Sequence, residues 1–251
     1  MRFFVSVSYN GARYSGWQRQ PNATSVQEVL EDALGKALGS RIEVTGAGRT
    51  DAGVSAADYV AHFDYPCQIK EHGPLLYKIN AILPPDIAVN FISRVGDGAH
   101  ARFDATSRTY RYAVHTVKDP FAWHSHYCKF PLDVEAMNRA AAVLIGRHDF
   151  SSFEKVGADN KTSICTVSQA LWRVVSPGHL EFTITADRFL RNMVRAIVGT
   201  LIDVGRGRIF ADDMDALLQA RDRSRAGQSV PGEPLMLCGI TYPYPINTEI
   251  N

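Results

Sequence analysis

Val167–Ala186 reads VSQALWRVVSPGHLEFTITA. Two runs with strand character, Val167 to Val175 and Leu180 to Ala186, flank Pro177-Gly178, a turn dipeptide. The stretch is therefore a hairpin, and a hairpin is antiparallel. The clearest helical pattern of the chain follows it: Met193, Val194, Ile197, Val198, Leu201 and Ile202 at helical spacing, closed at Gly205. Hairpins mixed with helices indicate an α+β protein with mainly antiparallel sheets, not a doubly wound parallel one.

Working outward, the same rhythm appears twice. Near the start, Phe3, Val5, Val7 and Tyr9 alternate with Phe4, Ser6 and Ser8, which predicts a strand with one apolar face. Ser25-Val26-Gln27-Glu28 is a capping box, and the helix it opens carries Val26, Val29, Leu30, Ala33, Leu34, Ala37 and Leu38 up to Gly39. Ile42 to Val44 and Tyr59 to Phe63 read as strands, Pro74 to Ile82 as a helix, and Ile87 to Val95 and Arg108 to His115 as strands. In the second half a stripe of Val134, Met137, Ala141, Leu144 and Ile145 predicts a helix. Leu217 and Leu218 mark a shorter one, and Leu235 to Tyr242 a last strand. Two similar halves follow, 1–105 and 106–251, with the boundary near Asp104 to Ser107. No long linker separates them, so they are expected to pack rigidly around a cleft.

Composition narrows the function classes. The chain has 251 residues, 45% of them hydrophobic, which suffices for two cores of modest size. Net charge is +1, but the 27 basic residues divide into 20 Arg and 7 Lys. Arginine supplies a planar fork for phosphate, although GC-rich coding produces the same bias. The four cysteines lie far apart without a CxxC pair, so neither a zinc motif nor a disulfide framework is expected. No apolar stretch is long enough to cross a bilayer and no leader pattern follows Met1, which predicts a cytoplasmic protein that does not engage membranes. Gly46-Ala47-Gly48 lacks the third glycine and the helix of a dinucleotide fingerprint. His124 and His126 read as a surface loop, with no metal.

The segment with the most chemistry is Gly48-Arg49-Thr50-Asp51-Ala52-Gly53, a strand-to-strand loop. Glycine permits unusual backbone angles and close approach, so the loop can present Asp51 with Arg49 beside it. An Asx turn with a solvated arginine fits the same residues. Arg188, Arg191, Arg195, Arg206 and Arg208 form a basic cluster, with Arg191 and Arg195 expected one turn apart on the strong helix. Arg94, Arg102, Arg108 and Arg111 supply a second set. Tyr14, Trp17 and Tyr110 could stack on splayed bases, although core packing suits Trp17 better.

Taken in order, these residues resemble the bacterial tRNA pseudouridine synthase A family over Phe3 to about Tyr242. The resemblance rests on Tyr14-Ser15-Gly16-Trp17-Gln18-Arg19-Gln20, Ser25-Val26-Gln27 and Gly48 to Val54. It continues through His100-Ala101-Arg102-Phe103, Tyr110-Arg111-Tyr112, Asp149-Phe150-Ser151-Ser152-Phe153 and Met193 to Gly199. It implies a pseudouridine synthase fold of two ferredoxin-like halves flanking a basic cleft. It further implies a homodimer that cradles tRNA by its anticodon arm and isomerises uridines 38, 39 and 40 without cofactor or metal. Asp51 falls on the family's catalytic aspartate, Tyr110 on the tyrosine that stacks against the target base, Arg195 on the base that pairs with the carboxylate, and Arg49 on the arginine of the same loop. Whether Asp51 attacks C1′, attacks the ring or removes the C2′ proton is open at this level. Three departures stand out: Ser55 replaces the usual His, Tyr59 replaces Gln, and Val230 to Pro234 follows the family pattern loosely. The main competing reading is a non-catalytic tRNA-binding or chaperone protein of the same fold. A glycosidase would need a second carboxylate that the loop lacks.

Overall fold

A computed structural model describes residues 1–69, 71–157 and 161–246. Contacts divide the chain into two units, Met1–Thr106 with the segment from Leu237 onward, and Ser107–Met236. The C-terminal segment thus groups with the N-terminal unit, whereas the sequence reading left all of 106–251 in one half. The reason is visible in side chains: Tyr242 donates to Ala101 O at 2.6 Å, and its ring meets Phe4 edge-on.

In the first unit, β1 (Arg2–Tyr9), α1 (Val26–Leu38), β2 (Val44–Gly46), β3 (Ser55–Asp64), α2 (His72–Ile82) and β4 (Ile87–Val95) follow one another. The strands are antiparallel in the order β4-β1-β3-β2. β1 is paired on both edges, and Phe3, Phe4, Val5, Ser6 and Val7 are all buried. The expectation of one apolar face therefore fails. Phe4, on the supposedly polar face, packs on Tyr242 and Tyr244, and Ser6 on that face donates to Asp58 at 2.6 Å. Helix α1 forms as its signals predict: Ser25 Oγ accepts from Glu28 N–H, and Gly39 closes the helix at φ 70°. Its buried Glu31 accepts from Val44 N–H at 3.0 Å and pairs with Arg19 at 3.0 Å. Burying a carboxylate costs heavily unless it is paired, so this acid ties α1 to β2 and to the 14–20 loop. β2 begins two residues later than the apolar pattern suggests, and runs directly into the glycine loop.

The second unit runs β5 (Ser107–His115), β6 (His126–Tyr127), α3 (Val134–Ala142), β7 (Gly146–Asp149), β8 (Ile164–Ser176), β9 (His179–Ala186), α4 (Met193–Gly205) and α5 (Met214–Ala220). Strand β10 (Leu235–Thr241) crosses the boundary between units. β5, β9, β8 and β7 are antiparallel neighbours in that order, and β6 adds a short parallel pair to β5. The predicted hairpin is β8–β9, with Gly178 at φ 76° in its turn. Helix α4 is buried nearly all round instead of along one stripe. Its far side is covered by the segment after α5: an added Cβ on Gly199 would lie 1.8 Å from Gln228 O. No helix among the described residues is long and apolar enough to cross a membrane.

Candidate active site

The Gly48–Gly53 loop joins β2 to β3 and is held from several sides by its own unit. Tyr59 on β3 donates to Gly48 O, and Gly48 N–H donates back to the same hydroxyl at 3.3 Å. Thr50 is buried, with its hydroxyl 3.0 Å from that of Tyr9. Thr50 O accepts from Trp17 N–H, and Gly53 N–H donates to Tyr14 O at 3.2 Å. Val54 N–H donates to Asp51 O at 3.2 Å, closing the turn. Gly53 sits at φ 80°, so glycine is required there. Gly48 has ordinary backbone angles and open space, so the expected need for glycine on both sides applies to one side only.

A second strand of chain lies against this loop. Gly16, at φ 89°, has room for no side chain: its Cβ would fall 2.3 Å from Thr50 O. Gly11 likewise abuts Val54 O, and its N–H donates to Ser55 Oγ at 3.0 Å. The departures at Ser55 and Tyr59 are thus both bonds that shape the loop. Trp17 stacks on Tyr59 at 4.0 Å and is 1% exposed, which is the core role expected for it. Tyr14 is buried too, its hydroxyl donating to Asp86 at 2.8 Å, so it is not available to stack on a base. Asp51 emerges half-buried from this frame, and Arg49 is exposed.

In the second unit, Tyr110 lies on β5 opposite Ile184, half-buried, with its ring edge-on to Phe189 at 5.1 Å. Its neighbour on the same face, Tyr112, is fully buried and donates to Pro231 O at 3.2 Å; burial pushes its phenol pKa up. Arg195 is half-buried in the first turn of α4. Its Nε donates to Val230 O at 2.7 Å, and Val230 N–H donates to Arg195 O at 3.2 Å. The Val230 carbonyl thus orients the guanidinium. Arg49 and Asp51 therefore belong to one unit, Tyr110 and Arg195 to the other.

The basic clusters are less uniform than the sequence suggests. Arg191 precedes α4, which starts at Met193, so it shares no helix face with Arg195. Arg208 pairs with Asp203 at 3.2 Å, Arg94 with Asp97 at 2.8 Å and Arg111 with Glu181 at 3.6 Å. Arg206 lies over the Phe130 ring at 3.9 Å. His100 of the His-Ala-Arg-Phe motif is structural: its Nδ1 accepts from Arg102 N–H, and its own N–H donates to Asp104 at 2.8 Å. Among the described residues no group of three His, Cys, Asp or Glu is placed to hold a metal.

Sequence comparison adds the family context. A family profile described as tRNA pseudouridine synthase matches residues 140–243. The tRNA pseudouridine synthase A of Parabacteroides distasonis is 51% identical over 245 residues, covering 96% of both chains. That of Bacteroides fragilis is 48% identical over 246 residues, covering 98% of both. The protein of the same name from Bacillus subtilis is 42% identical over 248 residues, with 96% of this chain and 99% of that one covered.

Proposed function

This chain belongs to the tRNA pseudouridine synthase A family, and on that premise we propose a role for each residue of its site. The protein isomerises uridine to pseudouridine in tRNA. The C1′–N1 glycosidic bond breaks, the base turns, and a C1′–C5 bond forms; the proton on C5 is lost and N1 gains one. Nothing is oxidised, reduced or consumed, so the protein's own residues suffice in principle.

The targets in this reading are uridines 38, 39 and 40 of the anticodon stem-loop, bound in a basic cleft by a cytoplasmic homodimer. The fold is read as two ferredoxin-like halves; the βαββαβ run of the first unit, with strand order β4-β1-β3-β2, supports that for its part. Asp51 is the nucleophile. The observation that carries its assignment is the loop that bears it, clamped by bonds from Tyr9, Tyr14, Trp17 and Tyr59 around a half-buried carboxylate. Fixing a reacting group in this way lowers the entropic cost of attack. The target base has to leave its stack before it can react, and Tyr110 caps it there. In this reading Arg195 is the cation that pairs with the carboxylate. Arg49, exposed on the loop, meets a phosphate.

Tritium release from tRNA labelled at uridine C5 tests the assignment. Asp51→Asn should lower turnover by at least about 10³-fold while tRNA binding persists. Turnover near that of the wild type would remove Asp51 from the chemistry. Wild-type protein that binds tRNA and releases no tritium would favour the non-catalytic alternative.

A further inference from the structure

The second unit contains a concavity of about 520 Å³ between the loop after β7 and the chain that follows α5. Three cations line it, Lys155, Arg221 and Arg223, against two acids, Glu154 and Asp222. The acids are engaged locally. Glu154 Oε2 accepts from Ser163 Oγ at 2.6 Å, and Asp222 Oδ1 accepts from Ser224 N–H at 2.8 Å and from its hydroxyl at 2.7 Å.

The cations are held differently. Arg223 Nη1 donates to Ala226 O at 3.3 Å and Gly227 O at 3.0 Å, and Nη2 donates to Ser229 Oγ at 2.9 Å. All three partners are neutral, so the guanidinium is fixed with its charge intact. Three of its five N–H groups are used, which leaves Nε–H and one proton on Nη2 for a ligand. Arg221 Nε pairs with Asp149 at 3.2 Å, which leaves its two terminal nitrogens. Lys155 is exposed.

Backbone strain marks the same place. Among the described residues only Asn192, at φ 66°, and Arg221, at φ 52°, are non-glycine residues with positive φ. Arg221 stands just past α5, where glycine is the ordinary choice. Asn192 donates to Ser229 at 2.6 Å, the same hydroxyl that receives Arg223. The next residue, Val230, holds Arg195. One short segment, 226–230, thus joins this concavity to the proposed active-site arginine.

We propose that Lys155, Arg221 and Arg223 form a binding site for a backbone phosphate of the tRNA, next to Arg195 along the chain path. The proposal rests on the tRNA reading above. Arg221 occupies a strained position of the kind that gathers at ligand sites, and the fork of Arg223 is already oriented for a phosphate.

Two variants of the full chain test it, each titrated with unmodified tRNA over a range of salt and each assayed for tritium release. Arg221→Gly relieves the positive φ, so its Tm should rise while its Kd for tRNA weakens about fivefold. Lys155→Gln, at an exposed side chain, should weaken binding by about threefold and make the log–log salt dependence shallower by roughly 0.7 to 0.9. For both, the loss should appear in KM more than in kcat. Wild-type Kd and salt slope in both variants would overturn the site, as would weaker binding with an unaltered slope. If Arg221→Gly lowers Tm, Lys155→Gln decides alone. A wild-type protein inactive on tRNA would instead defeat the functional reading, which is a separate result.

Discussion

The first unit joins β2 to β3 through residues 47–54, whereas the second joins β8 to β9 through Pro177-Gly178. These are corresponding connections. Each unit runs strand–helix–strand–strand–helix, β1-α1-β2-β3-α2 and β5-α3-β8-β9-α4, apart from the short additions β6 and β7. In each, the third strand of that run pairs with both the first and the second. One connection is a minimal turn, and the other has grown into the loop that bears Asp51. The difference teaches that the repeated scaffold sets position, while the proposed chemistry rests on the length and anchoring of one connection.

The helices differ in the opposite sense. Of α2 only Ile79 is buried, whereas α4 is enclosed along its whole length. Gly199→Ala should break this contrast most severely. With Gln228 O in its way, the added methyl should destabilise the protein by about 3 kcal/mol, read from urea melts. A loss below about 1 kcal/mol would mean that the covering segment yields easily.

The loop comparison is sharpened by two glycines. Gly16→Ala forces a Cβ against Thr50 O and should cost about 10²-fold in kcat through displacement of Asp51, with circular dichroism unchanged. Gly48→Ala, in open space, should stay within about threefold of wild type. Equal effects would show that the anchoring described for the loop does not govern its chemistry.

A further effect depends on pH. In the first unit, His62 is 5% exposed and accepts from Ala101 N–H at 3.1 Å through Nδ1. Burial, then the charges of Arg2 and His100, lowers its pKa to about 4. The unfolded chain therefore binds more protons at this site between the unfolded value near 6.5 and about 4. Its contribution is complete above that window and is lost as pH falls through it, a change of about 3 kcal/mol by pH 4. His62→Gln keeps an acceptor for Ala101 and cannot titrate, so urea melts of this variant at neutral and acid pH should diverge less than those of the wild type.

Legibility in the sequence followed the strength of the local signal. The β8–β9 hairpin, α1 with its serine cap and glycine stop, and α4 all rest on periodic apolar residues and turn chemistry. β7 was invisible because Gly146-Arg147-His148-Asp149 has no apolar alternation; it is an edge strand defined by its partner β8. The burial of both faces of β1 was equally hidden, since Tyr242, distant in sequence, packs on Phe4. At the site, the glycine loop was plain, but its anchors were not. Nothing in the spacing of Tyr9, Gly16 and Tyr59 signals that all three meet residues 48–50. The arginines of the two basic sets looked alike in sequence, and only the structure shows that Arg195 is oriented by Val230 O while Arg94, Arg111 and Arg208 reach Asp97, Glu181 and Asp203.

Most of the bonds that fix the 48–54 loop end on peptide atoms: Gly48 N–H and C=O, Thr50 C=O, Gly53 N–H. A shape stored in the main chain does not depend on which side chains decorate it. Evolution can therefore rewrite the outward-facing letters of this segment while the carboxylate proposed as nucleophile keeps its aim.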